Sequence, residues 1–337
     1  MSAQPSSFTR SPLVATYRAG LKACPVCGKR DNCSIREDRS AVFCRRVRSE
    51  HPGAGGWLHM LTDDAPMPPP PVVKETKPVA PVADKYIRDA VYRALLWQLT
   101  LSDEHRSNLV RRGLNEQTIE QGKFKSTPDA EASTRIAAAL ASEADLAGVA
   151  GFYREGAAWR MVKVPRGFFV PVLDRGGLIQ GLQIRRDELH SPKDPRYIWL
   201  SSKGYAFGTS SGAPCHVQNP ERIAATGRAV ITEGSLKAFV AAQYLSPEAG
   251  GLLALAGVAT FRDDFGSVLK QAFPTLQHIA IAFDRDWKEK REVKAQLYRL
   301  LCVLKRAGFE SITIQTWDRP EKGLDDLLVA EAMEEQR

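Results

Sequence analysis

The chain has 337 residues, 43% of them hydrophobic, which is enough for two or three domains with real cores. It contains no run of about 18 uncharged apolar residues, which excludes a transmembrane helix. The polar start, Met1 to Arg10, lacks the apolar region of a secretory signal, so a cytoplasmic protein with no membrane partner is expected. The net charge of +8 is uneven: residues 1–62 hold ten Lys/Arg against four Asp/Glu, a balance that favours a polyanion such as nucleic acid.

Four of the six cysteines crowd into residues 24–44. Cys24-Pro25-Val26-Cys27-Gly28 is a knuckle in which two thiolates three residues apart can hold one metal, with Gly28 letting backbone amides turn towards the sulfurs. Cys33 and Cys44 would complete a tetrahedral Cys₄ zinc site. Their wide spacing leaves His51 or His59 open as a replacement for one of them. Disulfides are rare in the cytosol, and a segment this small needs a staple to fold. Residues 1–62 therefore read as a small zinc-ribbon-like module, which would either touch template DNA through Arg45, Arg46 and Arg48 or cap a partner protein. The proline-rich residues 63–84 read as an extended linker.

Residues 85–145 read mostly as helix. Ile87, Val91, Leu95 and Leu96 recur at helical spacing, and Ser102 starts a second helix that Gly113 ends as a left-handed cap. Asn115 caps a third, short helix. Phe168 to Leu173 and Leu178 to Ile184, joined by Asp174-Arg175-Gly176-Gly177, read as a β-hairpin. Arg185, Arg186, Lys193, Arg196 and Lys203 follow, interleaved with Tyr197, Trp199 and Tyr205. That pattern suits a single-stranded nucleic-acid groove and equally an exposed hairpin with solvated charges.

From 229 onward strands alternate with helices: strands at 229–232, 251–256, 278–283 and 311–316, helices at 235–245, 263–272, 289–307 and 324–334. This predicts a mostly parallel sheet flanked by helices. Cys302 is expected on the apolar face of the 289–307 helix. Glu233-Gly234 and Asp284-Arg285-Asp286 each follow a strand, and Lys322-Gly323-Leu324-Asp325-Asp326 opens the last helix. Ligands bind at the carboxyl ends of parallel strands. Carboxylates gathered there need a cation, and hard oxygen ligands suit Mg²⁺ or Mn²⁺. Asp284 and Asp286, two residues apart on an extended strand end, should point the same way.

The stretch Ile231-Thr232-Glu233-Gly234-Ser235-Leu236-Lys237-Ala238, followed 51 residues later by Asp284-Arg285-Asp286 and closed by Lys322-Gly323-Leu324-Asp325-Asp326, resembles a Toprim domain. That metal-dependent fold is shared by DnaG-type primases, type IA and II topoisomerases and some nucleases. Leu101 to Leu114 resembles the helical segment of phage primases, and Phe169 to Arg185 with Pro195 to Leu200 resembles the basic half of the DnaG core. The order of zinc module, basic subdomain and Toprim is the primase order. The later Cys-x-x-Cys of the DnaG zinc module is absent, so template recognition would differ.

The resemblance implies an α/β protein in four parts: a zinc-binding module at 1–62, a linker at 63–84, a helical and basic α+β subdomain at 85–220 and a Toprim catalytic domain at 221–337. It implies a primase of the phage or mobile-element type that makes RNA primers on single-stranded DNA from ribonucleoside triphosphates. Structural Zn²⁺ would sit on Cys24, Cys27, Cys33 and Cys44. Catalytic Mg²⁺ or Mn²⁺ would sit on Glu233, Asp284, Asp286 and either Asp325 or Asp326. Lys237 would act at the catalytic centre, and Arg185, Arg186, Lys203 and Lys322 would contact nucleic acid or triphosphate. The sequence has no Gly-x-x-x-x-Gly-Lys-[Ser/Thr] loop, so a replicative helicase would be a separate partner. Two rivals use the same residues differently: a Toprim nuclease, and a non-catalytic zinc-containing DNA-binding protein of replication.

Overall fold

The computed structural model describes residues 13–15, 23–30, 32–61, 78, 80–191 and 194–335. Of the proline-rich stretch, residues 63–77 and Val79 lie outside these, as does Lys193. The chain divides into two compact units, Met1–Thr76 and Lys77–Arg337.

The first unit is an antiparallel sheet of β1 (Leu13–Ala15), β2 (Ser34–Arg36), β3 (Ala41–Cys44), β4 (Pro52–Gly53) and β5 (Gly56–Met60), ordered β1-β2-β3-β5-β4. Its buried core is Cys24, Cys33, Ile35, Val42 and Cys44. Two aliphatic side chains cannot hold a fold together, so the thiols must do so.

The second unit opens with α1 (Lys85–Trp97), α2 (Asp103–Arg111) and α3 (Glu116–Gln121). Helix α1 buries Val91, Tyr92, Leu95 and Leu96, whereas Ile87, in its first turn, stays exposed. Ser102 caps α2 through the His105 N–H at 3.3 Å, and Asn115 caps α3 through the Thr118 N–H at 2.8 Å. Gly113 takes φ +96° while the Leu114 N–H reaches back to the Leu109 carbonyl at 3.2 Å, which closes α2 as a Schellman motif.

After β6 (Lys125–Ser126) and α4 (Ala130–Glu143), the hairpin β7 (Phe152–Glu155) and β8 (Ala158–Met161) precedes β9 (Gly167–Leu173), β10 (Ile179–Arg186) and β11 (Tyr197–Trp199). Strands β6, β9, β10 and β11 form an antiparallel sheet in the order β11-β10-β9-β6. The β9–β10 turn is closed by Asp174 Oδ1, which accepts the N–H groups of Gly176 at 2.8 Å and Leu178 at 3.0 Å. Strand β9 reads as a continuous apolar run because both its faces are covered. Phe169, Ile179, Leu182 and Ile184 face one core with α1 and α4, while Phe168 and Val170 face another with α2, α3 and α6 (Ser235–Tyr244).

The last part is a five-stranded sheet built from β12 (His216–Gln218), β13 (Arg228–Glu233), β14 (Gly251–Leu255), β15 (His278–Ile281) and β16 (Ser311–Ile314), in the order β12-β14-β13-β15-β16. Every neighbouring pair is parallel except the edge pair β12–β14, which the sequence pattern did not indicate. Its helices are α5 (Pro220–Thr226), α6, α7 (Phe265–Ala272), α8 (Arg291–Arg306) and α9 (Leu324–Glu335). Ile231, Leu253, Ile279 and Ile281 face α7 and α8, and Val230, Leu252 and Ala254 face α6 and α9. Cys302 is exposed, contrary to expectation. At about 100° per residue it lies opposite Leu297, Leu300 and Leu304, the buried stripe of α8.

Candidate functional site

The carboxyl edge of the parallel sheet gathers the acidic residues. Glu233 ends β13, and Asp284 stands three residues beyond the end of β15, the strand paired with it. Gly234 adopts φ +87° to turn the chain from β13 into α6, and its N–H holds the Leu255 carbonyl at 2.7 Å. That turn places Lys237 in the first turn of α6, where its ammonium pairs with Asp284 Oδ1. Lys322 reaches the same group from another loop, 3.5 Å from Asp284 Oδ2 and 3.3 Å from Asp286 Oδ2. The Arg285 N–H to the Lys322 carbonyl, at 2.8 Å, ties the two loops together.

One expectation is corrected. Asp284 is extended, but a 3₁₀ turn, Arg285–Lys288, begins immediately after it. The two aspartates therefore do not sit side by side on a strand end. Asp286 instead pairs with Lys290 at 2.6 Å and shares Lys322 with Asp284.

Asp325 and Asp326, indistinguishable in the sequence, differ in place. Asp325 is buried and Asp326 exposed. Asp325 Oδ2 lies 3.9 Å from an Arg112 guanidinium nitrogen, and its Oδ1 is buried with no hydrogen-bond partner among the described residues. A methyl group on Gly323 would come within 2.4 Å of Asp325 Oδ1, 3.2 Å of Lys237 Nζ and 3.3 Å of Asp284 Oδ1. Gly323 thus leaves open the small space on which these three groups converge.

Burial, reinforced by the neighbouring Asp284 carboxylate, pushes Glu233 up to about 7. Burial likewise raises Asp325, against the pull of Lys237. Burial alone would lower Lys237, but Asp284 and Asp325 outweigh it and hold the ammonium charged. Asp286 stays below the usual carboxylate range because Lys290 and Lys322 overcome its partial burial. The centre thus gathers four carboxylates, one of them with a buried oxygen that has no partner among the described residues. Its donor set is hard oxygen, which fits Mg²⁺ or Mn²⁺.

Arg112, which the sequence marked only as a helix end, is a site residue. Its Nε is buried without a partner among the described residues, as is that of Arg185. Arg185 lies 5.4 Å over the Phe168 ring, where burial, together with Arg112 and Arg196 nearby, lowers its pKa. Like-charged guanidiniums brought together under partial burial suit a polyanion. Arg186 is committed to Asp194 at 3.8 Å and to the Pro195 carbonyl at 3.4 Å. Lys203 is exposed, with its own N–H on Ser201 Oγ at 3.4 Å.

In the first unit, the Sγ atoms of Cys24, Cys27, Cys33 and Cys44 all lie within 4.8 Å of one another, and this is the one such group of potential ligands among the described residues. Cys27 and Cys33 are 3.7 Å apart, and Cys33 and Cys44 are 4.0 Å apart. A tetrahedron with Zn–S bonds of about 2.3 Å has edges of about 3.8 Å, so the four thiols fit zinc. The N–H groups of Arg46 and Val47 each point at Cys44 Sγ from 3.4 Å, and the Lys29 N–H leads the effects that lower the Cys27 thiol to about 6. His51 and His59 lie outside the group, and His59 Nε2 is bonded to the Val47 carbonyl at 3.0 Å.

With both sites described, comparison with known proteins places the fold. Residues 226–335 match a family model described as a domain of unknown function (DUF3854). The Aquifex aeolicus primase structure, comprising zinc-binding and RNA polymerase domains, superposes with a TM-score of 0.55 over 75% of this chain at 16% identity. The RNA polymerase domain of Mycobacterium tuberculosis primase DnaG superposes with a TM-score of 0.53 over 74% of the chain at 14% identity. The fold is that of the DnaG primase core. The chain spans 60% of the Aquifex primase chain and 82% of the Mycobacterium DnaG chain. The Mycobacterium DnaG domain has also been captured with a double-stranded DNA oligomer carrying a 6-nucleotide overhang; that structure superposes at a TM-score of 0.52, with 14% identity, over 75% of this chain and 81% of its own. No curated protein matches the sequence. Among the described residues, no helix is long and apolar enough to cross a membrane.

Proposed function

We propose that the protein is a DNA primase, building RNA primers on single-stranded DNA from ribonucleoside triphosphates. The observation that carries this reading is the convergence of Glu233, Asp284 and Asp325 on Lys237 at the carboxyl edge of a sheet with the DnaG fold. In this reading residues 85–220 form the basic subdomain, 221–337 the Toprim domain and 1–62 a zinc module. Asp325 rather than Asp326 serves the site, because only Asp325 is turned inward.

Glu233, Asp284, Asp286 and Asp325 would hold Mg²⁺ or Mn²⁺, which supplies activation of the attacking hydroxyl and neutralisation of the triphosphate. The protein's own groups do the rest. Lys237 holds Asp284 in place and offers positive charge at the N-terminal turn of α6, where the helix dipole also favours an anion. Arg112 and Arg185 orient phosphates, with Lys322, Lys203 and Arg186 extending the basic track. A replicative helicase would act as a separate partner.

The test is incorporation of radiolabelled ribonucleotides on a panel of single-stranded templates, with Mg²⁺ or Mn²⁺, for the wild type beside Asp284→Ala. Oligonucleotide made by the wild type and lost in the variant is the expected result. Cleavage of labelled DNA without incorporation would point to a nuclease. Equal replication function in wild type and variant would point to a non-catalytic DNA-binding role.

A further inference from the structure

Away from the acidic site, the second unit holds an open cavity of about 640 Å³ between the end of α1, α2, α3 and β6. Trp97, the last residue of α1, stands on its wall and is 90% exposed. An indole left almost wholly in water contributes little to the core and keeps its ring face open to a ligand. The floor is apolar, formed by Leu101, Ile119 and Phe124.

The rim is basic: the cavity is lined by Arg93, Arg106, Lys123 and Lys125, against one carboxylate, Glu120. Arg93 and Arg106 are already paired, with Asp89 at 2.8 Å and with Glu116. Lys123 and Lys125 have no ion-pair partner among the described residues. Lys123 also sits at φ +56°, one residue past the Gly122 that caps α3, in the left-handed conformation that a glycine would take without strain. Gly122 comes one residue too early, at φ −69°. The chain thus keeps a strained lysine where glycine would fold better, a pattern that accompanies function.

We propose that this cavity is a second contact site for single-stranded nucleic acid, with a base stacked on Trp97 and adjoining phosphates held by Lys123 and Lys125. The choice of ligand rests on the nucleic-acid reading of the acidic site. The pairing of one exposed ring with unpaired ammoniums is the chemistry of sequence-independent strand binding: rings stack on any base and cations track the backbone. A free mononucleotide offers the same base and phosphate, and the experiment separates the two.

The experiment measures binding of a fluorescein-labelled oligothymidylate by anisotropy across a salt series, without added divalent cation, for the full chain and three variants. Trp97→Ala is expected to weaken binding on the order of tenfold. Lys123→Gly is expected to weaken binding and reduce the salt slope by about 0.7, the share of one phosphate contact on a single strand. The fold should be unchanged in both, since Trp97 is solvent-exposed and glycine relieves the strain at position 123; melting curves check this. Tyr298→Ala, which removes an exposed ring on α8 outside both sites, should bind as the wild type does. Wild-type affinity and slope in both Trp97→Ala and Lys123→Gly would overturn the proposal, as would a wild type that does not bind the oligomer. Thymidine monophosphate competing as well per nucleotide as the oligomer would overturn it too, by assigning the cavity to free nucleotide. If primer synthesis fails but Trp97→Ala still loses the oligomer, the primase reading falls and this site stands. If primers are made and both variants bind normally, this site falls alone.

Discussion

Gly323 shows how narrowly the acidic centre is drawn. Its missing side chain is the gap between Asp325, Lys237 and Asp284, so Gly323→Ala pushes a carbon into the space where the proposed primase would bring substrate phosphate and cation together. A displacement of about 1 Å at such a centre costs on the order of a hundredfold in rate. Gly323→Ala should therefore lower nucleotide incorporation by about that factor while leaving oligonucleotide binding unchanged; wild-type incorporation would show that the space is not used. At this scale the sequence was partly legible. Glu233 and Asp284 follow recognisable strands, so their convergence follows from strand order. Arg112 was not legible, because its guanidinium meets Asp325 only once the start of α9 is packed near the end of α2, a tertiary consequence with no local signature. Asp325 and Asp326 are equivalent in composition, and only the entry angle of α9 turns one in and the other out.

Among the elements, strands β13 and β15 were readable because they are short apolar runs covered on both faces. Strand β12 was not, since its three residues are His216, Val217 and Gln218, and pairing with β14 rather than side-chain pattern makes it a strand. The 3₁₀ turn at Arg285–Lys288 was hidden likewise, because Asp-Arg-Asp-Trp-Lys carries no periodicity. The β12 edge has a measurable consequence. The His216 ring is fully buried against Phe239 of α6, its Nδ1 accepts the Leu173 N–H at 3.0 Å, and burial pushes its pKa down to about 3. The unfolded chain takes up a proton near the ordinary value of 6.5, and the folded protein does not until about 3. Stability from this residue is therefore complete above 6.5 and falls by about 1.4 kcal/mol per pH unit below it, until the folded ring also protonates. Urea titrations between pH 4 and 7 should show His216→Gln with a pH dependence flatter by close to one proton. Identical slopes in the two proteins would contradict this account of the ring.

Over the whole molecule, the two units have unlike means of support. Among the described residues the second holds four apolar clusters, whereas the first has one small cluster in which three of five side chains are cysteines. Stripping zinc with a chelator should therefore unfold Met1–Thr76 and leave the calorimetric transition of Lys77–Arg337 in place. One transition that shifts as a whole would speak against this independence. The four-cysteine set was suggested by the Cys24-Pro25-Val26-Cys27 knuckle. Spacing alone could not decide between Cys33, Cys44 and the histidines. The β2–β3 pairing settles that by bringing the segments carrying Cys33 and Cys44 together, while the His59 ring is taken up by a carbonyl.

The hairpin of β9 and β10 is closed by a turn within its own sequence, whereas Glu233, Asp284 and Asp325 are brought together only when β13, β15 and the start of α9 have assembled. Contacts close in sequence form early, and distant ones wait for the larger loss of chain entropy. On the ribosome or in refolding, the hairpin and its helices can therefore be in place while the acidic edge does not yet exist. A nascent chain would acquire its basic surface before its carboxylates are gathered.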